Sequence, residues 1–264
     1  AGSGLADDAI DGAFNENLFW GGGHILQFLN VSLMLTGWYA LGGLSMERPA
    51  MRPQMTSLTQ ALLLAAALMG PVFYILFDAY SVDQMAAFTW LQYALAPPTL
   101  LAAVLLIRTA REHRATSLLP RAHPAFKCLW LSVVVFGVGG FLGLFVDGAD
   151  TRTPAHYHGV IGGVNLVFIG LFMSFFLPLM GRAVGIGRSI SALIHMYAWG
   201  QMLASIGLFL AGGYGAPRKT AGDAQGLEAM GAVFGMYLNG VGALIAVIGG
   251  TMFIWICAKA LLRR

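Results

Sequence analysis

Two histidines, His156 and His158, stand in Ala155-His156-Tyr157-His158-Gly159, where a long apolar run begins. On an α-helix, residues i and i+2 point about 200° apart. The two imidazoles therefore leave one helix on opposite faces. They cannot readily share one metal ion, but each can hold its own. Neutral imidazole is the commonest metal ligand, and an ionisable group inside a membrane is a functional candidate by default. Two metal centres separated by one helix point to electron transfer. The plainer reading is a pair of interfacial histidines that cap a helix end or snorkel.

The chain has six histidines. His24 follows Gly21-Gly22-Gly23, which lets a neighbouring helix or a planar cofactor come close. The alternative is a buried histidine bonded to a backbone carbonyl. His195 enters a later apolar run from the opposite end and differs in depth from His158 by roughly 15 Å. A shared metal needs two bonds of about 2 Å each, so His195 reads as a core residue. His113 and His123 lie among arginines in a polar connection and read as solvated. Arg218 and Lys219, in Tyr214-Gly215-Ala216-Pro217-Arg218-Lys219, follow an apolar run directly. They fit the carboxylates of a cofactor through charge-assisted hydrogen bonds, or else Asp223, Glu228 or lipid headgroups. Cys128 and Cys257 stand apart and are expected as free core thiols.

The elements that must position these residues are membrane spans. Hydrophobic residues make up 58% of the chain and charged residues 10%. Mean hydropathy is +0.72. Runs near the roughly 20 residues that span a bilayer recur at 17–43, 57–78, 85–108, 126–147, 156–181, 189–213 and 229–258. In lipid the backbone must satisfy itself, so helices are expected, and the runs are too long for barrel strands. The expected fold is all-α and integral to the membrane, with seven transmembrane helices. Residues 1–16 are expected as an extracytoplasmic segment, and 17–264 as one transmembrane domain.

Charge gives the expected orientation. Of the 15 Lys and Arg, all but Arg152, Arg218 and Lys219 fall on one side of such a bundle. By the positive-inside rule that side is cytoplasmic. The N-terminus is then outside and the C-terminus inside a bacterial-type inner membrane. Asp7, Asp8, Asp11, Glu16, Asp78, Asp83, Asp147, Asp150, Asp223 and Glu228 fall outside. That face is a solvated rim or a landing surface for a basic partner. The pI near 9.0 reflects the cytoplasmic connections and gives no reason to invoke nucleic acid. The chain starts at Ala1 with no initiator Met or signal peptide, which suggests processing, truncation or an absent upstream half. A transporter is disfavoured, because the spans carry no interior acids beyond the interfacial Asp78 and Asp147.

These residues resemble a known pattern. Ala155-His156-Tyr157-His158, followed by Gly-rich apolar sequence, is similar to the tenth helix of the haem–copper oxidase catalytic subunit I. In that family the first histidine of an A-H-F-H-like motif binds a high-spin haem and the second a low-spin haem. Ala216-Pro217-Arg218-Lys219 resembles the family's basic pair on the haem propionates. Asn17-Leu18-Phe19-Trp20-Gly21-Gly22-Gly23-His24 resembles the start of its sixth helix, which supplies a copper ligand. Val82-Asp83 and Pro97-Pro98 resemble the seventh-to-eighth helix region more loosely. The spans would correspond to helices six to twelve of twelve, over nearly the whole chain. The resemblance implies His158 on a low-spin haem iron, His156 on a second haem iron, and Arg218 and Lys219 on propionates. His24 would keep a residual copper-site position.

The departures count as much. Residues 25–112 contain no histidine, so the family's adjacent His pair for copper is absent, and Tyr74–Asp78 stands in its place. The family's tyrosine four residues after the first copper histidine is Phe28 here. Copper is therefore not expected. The second axial ligand of the low-spin haem comes, in the family, from a helix outside this chain. The resemblance thus implies a membrane haem-binding electron-transfer subunit of a respiratory complex, with one or two b-type haems. A partner membrane chain would bring the remaining helices and the second ligand, and a cytochrome c or c-type haem subunit would dock outside. Two alternatives stay open. One is a divergent terminal oxidase or nitric oxide reductase subunit with an altered site. The other is a cofactor-free anchoring subunit.

Overall fold

The computed structural model describes residues 12–46, 49–112, 123–146, 148, 150–220 and 222–262. Its α-helices are α1 (Gly12–Met46), α2 (Pro53–Ala67), α3 (Met69–Leu76), α4 (Val82–Leu91), α5 (Ala96–Glu112), α6 (Pro124–Leu142), α7 (Arg152–Leu171), α8 (Leu177–Leu179), α9 (Arg188–Gly213) and α10 (Met230–Leu262). Among the described residues, seven stretches are long and apolar enough to cross a membrane. They are Asn17–Met46, Pro53–Leu76, Val82–Glu112, Pro124–Phe145, Arg152–Leu179, Arg188–Gly213 and Met230–Leu262. The chain is a multi-pass, all-helical membrane protein.

Proline explains where several helices start and break. Pro53 and Pro124 open α2 and α6, and Pro154 lies in the first turn of α7. There the missing N–H has no intrahelical partner to lose. The fifth span therefore begins at Arg152, a full turn before the apolar run at 156. Pro71 interrupts the second span near Leu68, and Pro97-Pro98 follow a 3₁₀ turn, Gln92–Leu95. Pro178 cannot donate to the Ser174 carbonyl, and a π turn, Phe172–Phe176, precedes it. At the N-terminus α1 already begins at Gly12, inside the expected extracytoplasmic segment.

The chain forms two compact units, one of residues 1–36 and 51–109, the other of 37–50 and 110–264. In the first, Ser32 Oγ donates to Gln60 Oε1 at 2.6 Å, tying α1 to α2. Trp20 Nε1 donates to the Met85 carbonyl at 3.1 Å, tying α1 to α4. The cap of α4 is reciprocal: Ser81 Oγ accepts from the Gln84 amide at 3.2 Å, and Gln84 Oε1 accepts from the Tyr80 amide at 3.0 Å. It holds Tyr80 at φ 64°, a conformation costly for a bulky residue.

The second unit is built on close backbone contacts. At the α6–α7 crossing, a Cβ on Gly159 would lie 2.6 Å from the Gly139 Cα. The end of α1 joins the same layer. Trp38 Nε1 donates to Ser132 Oγ at 2.9 Å, and that hydroxyl donates to the Gly163 carbonyl at 2.7 Å. Between α9 and α10, Gly200 and Gly207 face Gly242 and Gly235 with backbone against backbone. Lipid tails supply no hydrophobic drive between helices, so small residues that allow such approach carry the association. The outward faces of α10 stay apolar and exposed, as at Tyr237, Leu244, Val247 and Trp255.

His123 departs from the solvated role expected of it. It is half-buried and caps α6, its Nδ1 accepting from the Ala125 amide at 3.2 Å. Burial holds its imidazole below the usual histidine range. The cap requires a bare Nδ1, so protonation breaks it. The unfolded chain takes up the proton near pH 6.5, the folded chain only at lower pH. Stability is therefore full above pH 6.5 and declines as pH falls toward the folded value. The expected loss is about 1 kcal/mol, the worth of a cap. Detergent-unfolding midpoints at pH 7.5 and pH 5 check it, and His123→Asn, which caps without titrating, is expected to flatten the difference. His113 lies outside the described residues.

Candidate functional site

The site is built at the start of α7. A Schellman turn closes α9: the Gly215 amide donates to the Gly212 carbonyl at 2.9 Å and the Ala216 amide to the Ala211 carbonyl at 3.0 Å. Gly215 adopts φ 84°, where a side chain would be strained. Ala216 packs back on Ala211 and Ala232. The turn delivers Pro217 into an antiparallel bridge with Asp150, at the start of α7. The Thr151 amide donates to the Ala216 carbonyl at 3.0 Å, and the Thr151 hydroxyl to the Leu208 carbonyl at 2.8 Å. Arg218 and Lys219 thus leave from a loop pinned to the first turn of the helix that carries His156 and His158.

The two histidines face different surroundings. His156 lies half-buried against α6, with Nδ1 2.8 Å from the Gly139 carbonyl. A carbonyl only accepts, so Nδ1 carries the proton and Nε2 keeps the lone pair. A Cβ on Gly143 would lie 2.5 Å from His156 Nδ1, so Gly139 and Gly143 form a slot for the ring. Metal-bound histidines commonly fix their tautomer this way. His158 points elsewhere and is exposed, its ring beside Tyr157 at a centroid separation of 5.5 Å. Neither of its nitrogens has a hydrogen-bond partner among the described residues. The opposite projection expected from the i, i+2 spacing is what the helix presents.

Arg152, one turn before His156, pairs with Asp150: Nη2 lies 2.7 Å from Oδ2, and Nε 2.9 Å from the same oxygen. Asp150 is 8% exposed, so the partner of one of the three basic residues expected outside is a buried carboxylate. From the sequence, Asp150 was named only among the outer acids, and Thr151, Gly139 and Gly143 were not singled out. Asp150-Thr151 before a helix is a start signal, which could have flagged the first pair.

His24 belongs to the other unit. It is half-buried, and its Nδ1 donates to the Trp20 carbonyl at 2.7 Å, the backbone bond expected on the plainer reading. Its ring neighbours are Trp20, at 4.9 Å, and Phe88, at 6.3 Å. No second His, Cys or acid joins it in a metal-binding group among the described residues. His195 likewise donates from Nδ1 to the Ser191 carbonyl at 2.8 Å. Cys128 and Cys257 are buried free thiols.

An exposed imidazole, a second imidazole with its tautomer fixed, and a loop bearing two basic residues are thus held at one helix end. No protein-family model matches the chain. It is 25% identical to "Uncharacterized protein RP382" of Rickettsia prowazekii (strain Madrid E), over 94% of this chain and 55% of that protein. It is 29% identical to an "Uncharacterized protein" of Aquifex aeolicus (strain VF5), over 59% of this chain and 37% of that protein. The chain thus spans about half the length, or less, of the curated relatives it matches.

Proposed function

We propose that this chain is the haem-bearing part of a membrane electron-transfer protein related to haem–copper oxidase subunit I, without its copper centre. His158 is the axial ligand of a low-spin b-type haem, and His156 of a second haem. Arg218 and Lys219 hold the propionates, with the N-terminus outside. The observation that carries the reading is the bridge between Asp150 and Pro217. It joins the two sequence elements that resemble the family, which lie about sixty residues apart, at one helix end. The haem supplies the redox chemistry; the protein supplies burial, ligation and charge. Cations near propionates favour the reduced form and raise the potential. The second ligand of the low-spin haem comes from helices outside this chain, on a partner or on a longer polypeptide. A c-type haem subunit is the donor on the acidic outer face.

The test is a pyridine haemochrome count on the full membrane complex. The expected result is one or two b-type haems per chain. His158→Ala is expected to remove the low-spin signal and His156→Ala the second haem, each leaving the other in place. A His158→Ala complex with an unchanged spectrum sinks the reading.

A further inference from the structure

The cap of α7 divides its work in an uncommon way. A threonine at the N-cap ordinarily turns its hydroxyl back to accept from a first-turn amide. Thr151 holds the N-cap position and makes no such bond. Asp150 does so instead, its Oδ1 accepting from the Arg152 amide at 2.8 Å. The Thr151 hydroxyl is thereby released, and it donates across to the Leu208 carbonyl of α9 at 2.8 Å. The same residue's amide holds the Ala216 carbonyl at 3.0 Å. Thr151 is 4% exposed, so water does not compete for either bond. Gly212 completes the contact: a Cβ there would lie 2.6 Å from the Arg152 amide nitrogen and 2.8 Å from Asp150 Oδ1. One residue thus ties the first turn of α7 to the last turns of α9 through its hydroxyl, and to the loop that carries Arg218 and Lys219 through its amide.

We propose that Thr151 is a positioning residue that holds Arg218 and Lys219 at a fixed place relative to His156 and His158. It thereby sets the cationic field on a carboxylate-bearing cofactor held by those histidines. The electrostatic half of this inference rests on the haem reading above; the mechanical half stands on the hydrogen bonds alone.

The experiment uses the full membrane complex in nanodiscs and compares Thr151→Val with Thr151→Ser. Valine keeps the shape and removes the donor; serine keeps the donor. Two readouts are taken: the rate of trypsin cleavage after Arg218 and Lys219, and the reduction equilibrium of the bound haem at equal haem content. Thr151→Val is expected to raise the cleavage rate about fivefold, the factor for one lost hydrogen bond. It is also expected to shift the haem toward its oxidised form, with Thr151→Ser close to wild type in both. If Thr151→Val does not fold, Gly215→Ala loosens the same loop from its other end and is expected to give the same two changes. Unchanged cleavage overturns the inference and leaves the haem reading standing. Faster cleavage with an unchanged haem equilibrium reduces Thr151 to a structural residue and overturns the positioning role. A wild-type complex with no Soret band overturns the haem reading, and the positioning role with it.

Discussion

Gly242→Val is expected to pry α9 from α10 and lower the unfolding free energy by about 3 kcal/mol, the upper range for overpacking. A Cβ at Gly242 would lie 2.8 Å from the Gly200 carbonyl oxygen and 2.9 Å from the Ala204 Cα. Every nearby atom there is backbone, so no side chain can swing aside. The contact repeats every seven residues, with Gly235, Gly242 and Gly249 on α10 and Gly200 and Gly207 on α9. A wedge at its centre therefore strains the turns on either side. Gly240→Val is the matched control, on the same helix, where a Cβ meets nothing within 4 Å. Unfolding in mixed micelles by rising SDS, followed by tryptophan fluorescence, measures both. Equal midpoints for the two variants would falsify the close-packed α9–α10 pair.

Gly139→Ala is expected to have the next largest effect, and it reaches the candidate site directly. A Cβ at Gly139 would lie 2.6 Å from the Gly159 carbonyl carbon and 2.9 Å from its Cα, with the Val160 amide nitrogen nearer still. A single methyl must push α6 and α7 apart, at about 1–3 kcal/mol. The Gly139 carbonyl moves with its helix, and its bond to His156 Nδ1 stretches. Gly140→Ala, which meets nothing within 4 Å, should leave stability nearly unchanged. On the haem reading, Gly139→Ala also alters the second haem's spectrum while sparing the low-spin haem on His158. A Gly139→Ala protein as stable as Gly140→Ala would remove the crossing from the account.

The number of spans was legible because lipid demands long apolar helices, and seven such runs stand out. Their starts were less legible. Apolar runs mark only the hydrocarbon-facing part, whereas Pro53, Pro124 and Pro154 open helices in more polar sequence. The opposite projection of His156 and His158 followed from helical geometry alone. What each imidazole touches did not, because in a membrane both the packed and the lipid-facing sides of a helix are apolar, and periodicity no longer separates them. Glycines were the missing guide. Gly139 and Gly143, four residues apart, mark the slot that receives His156. The join of Thr151 to α9 and to the loop after it is a contact between residues far apart in sequence, made by one hydroxyl and three backbone groups. His123 was misjudged because its arginine neighbours suggested solvent, while Pro124 directly after it marked a helix start that needed a cap.

The π turn at Phe172–Phe176 bears on how such chains change over time. A π turn holds one residue more than an α turn. One extra residue in a regular helix rotates everything beyond it by about 100°, which would swing a packed face out toward lipid. In the span Arg152–Leu179 that extra residue is absorbed within one turn, between α7 and α8 and just before Pro178. The histidine end of the helix and the proline end are thus geometrically independent. Lineages can gain or lose a residue between them and keep both faces seated. When longer relatives are aligned with this chain, single-residue gaps are expected to gather at 172–176 rather than between His158 and Leu171.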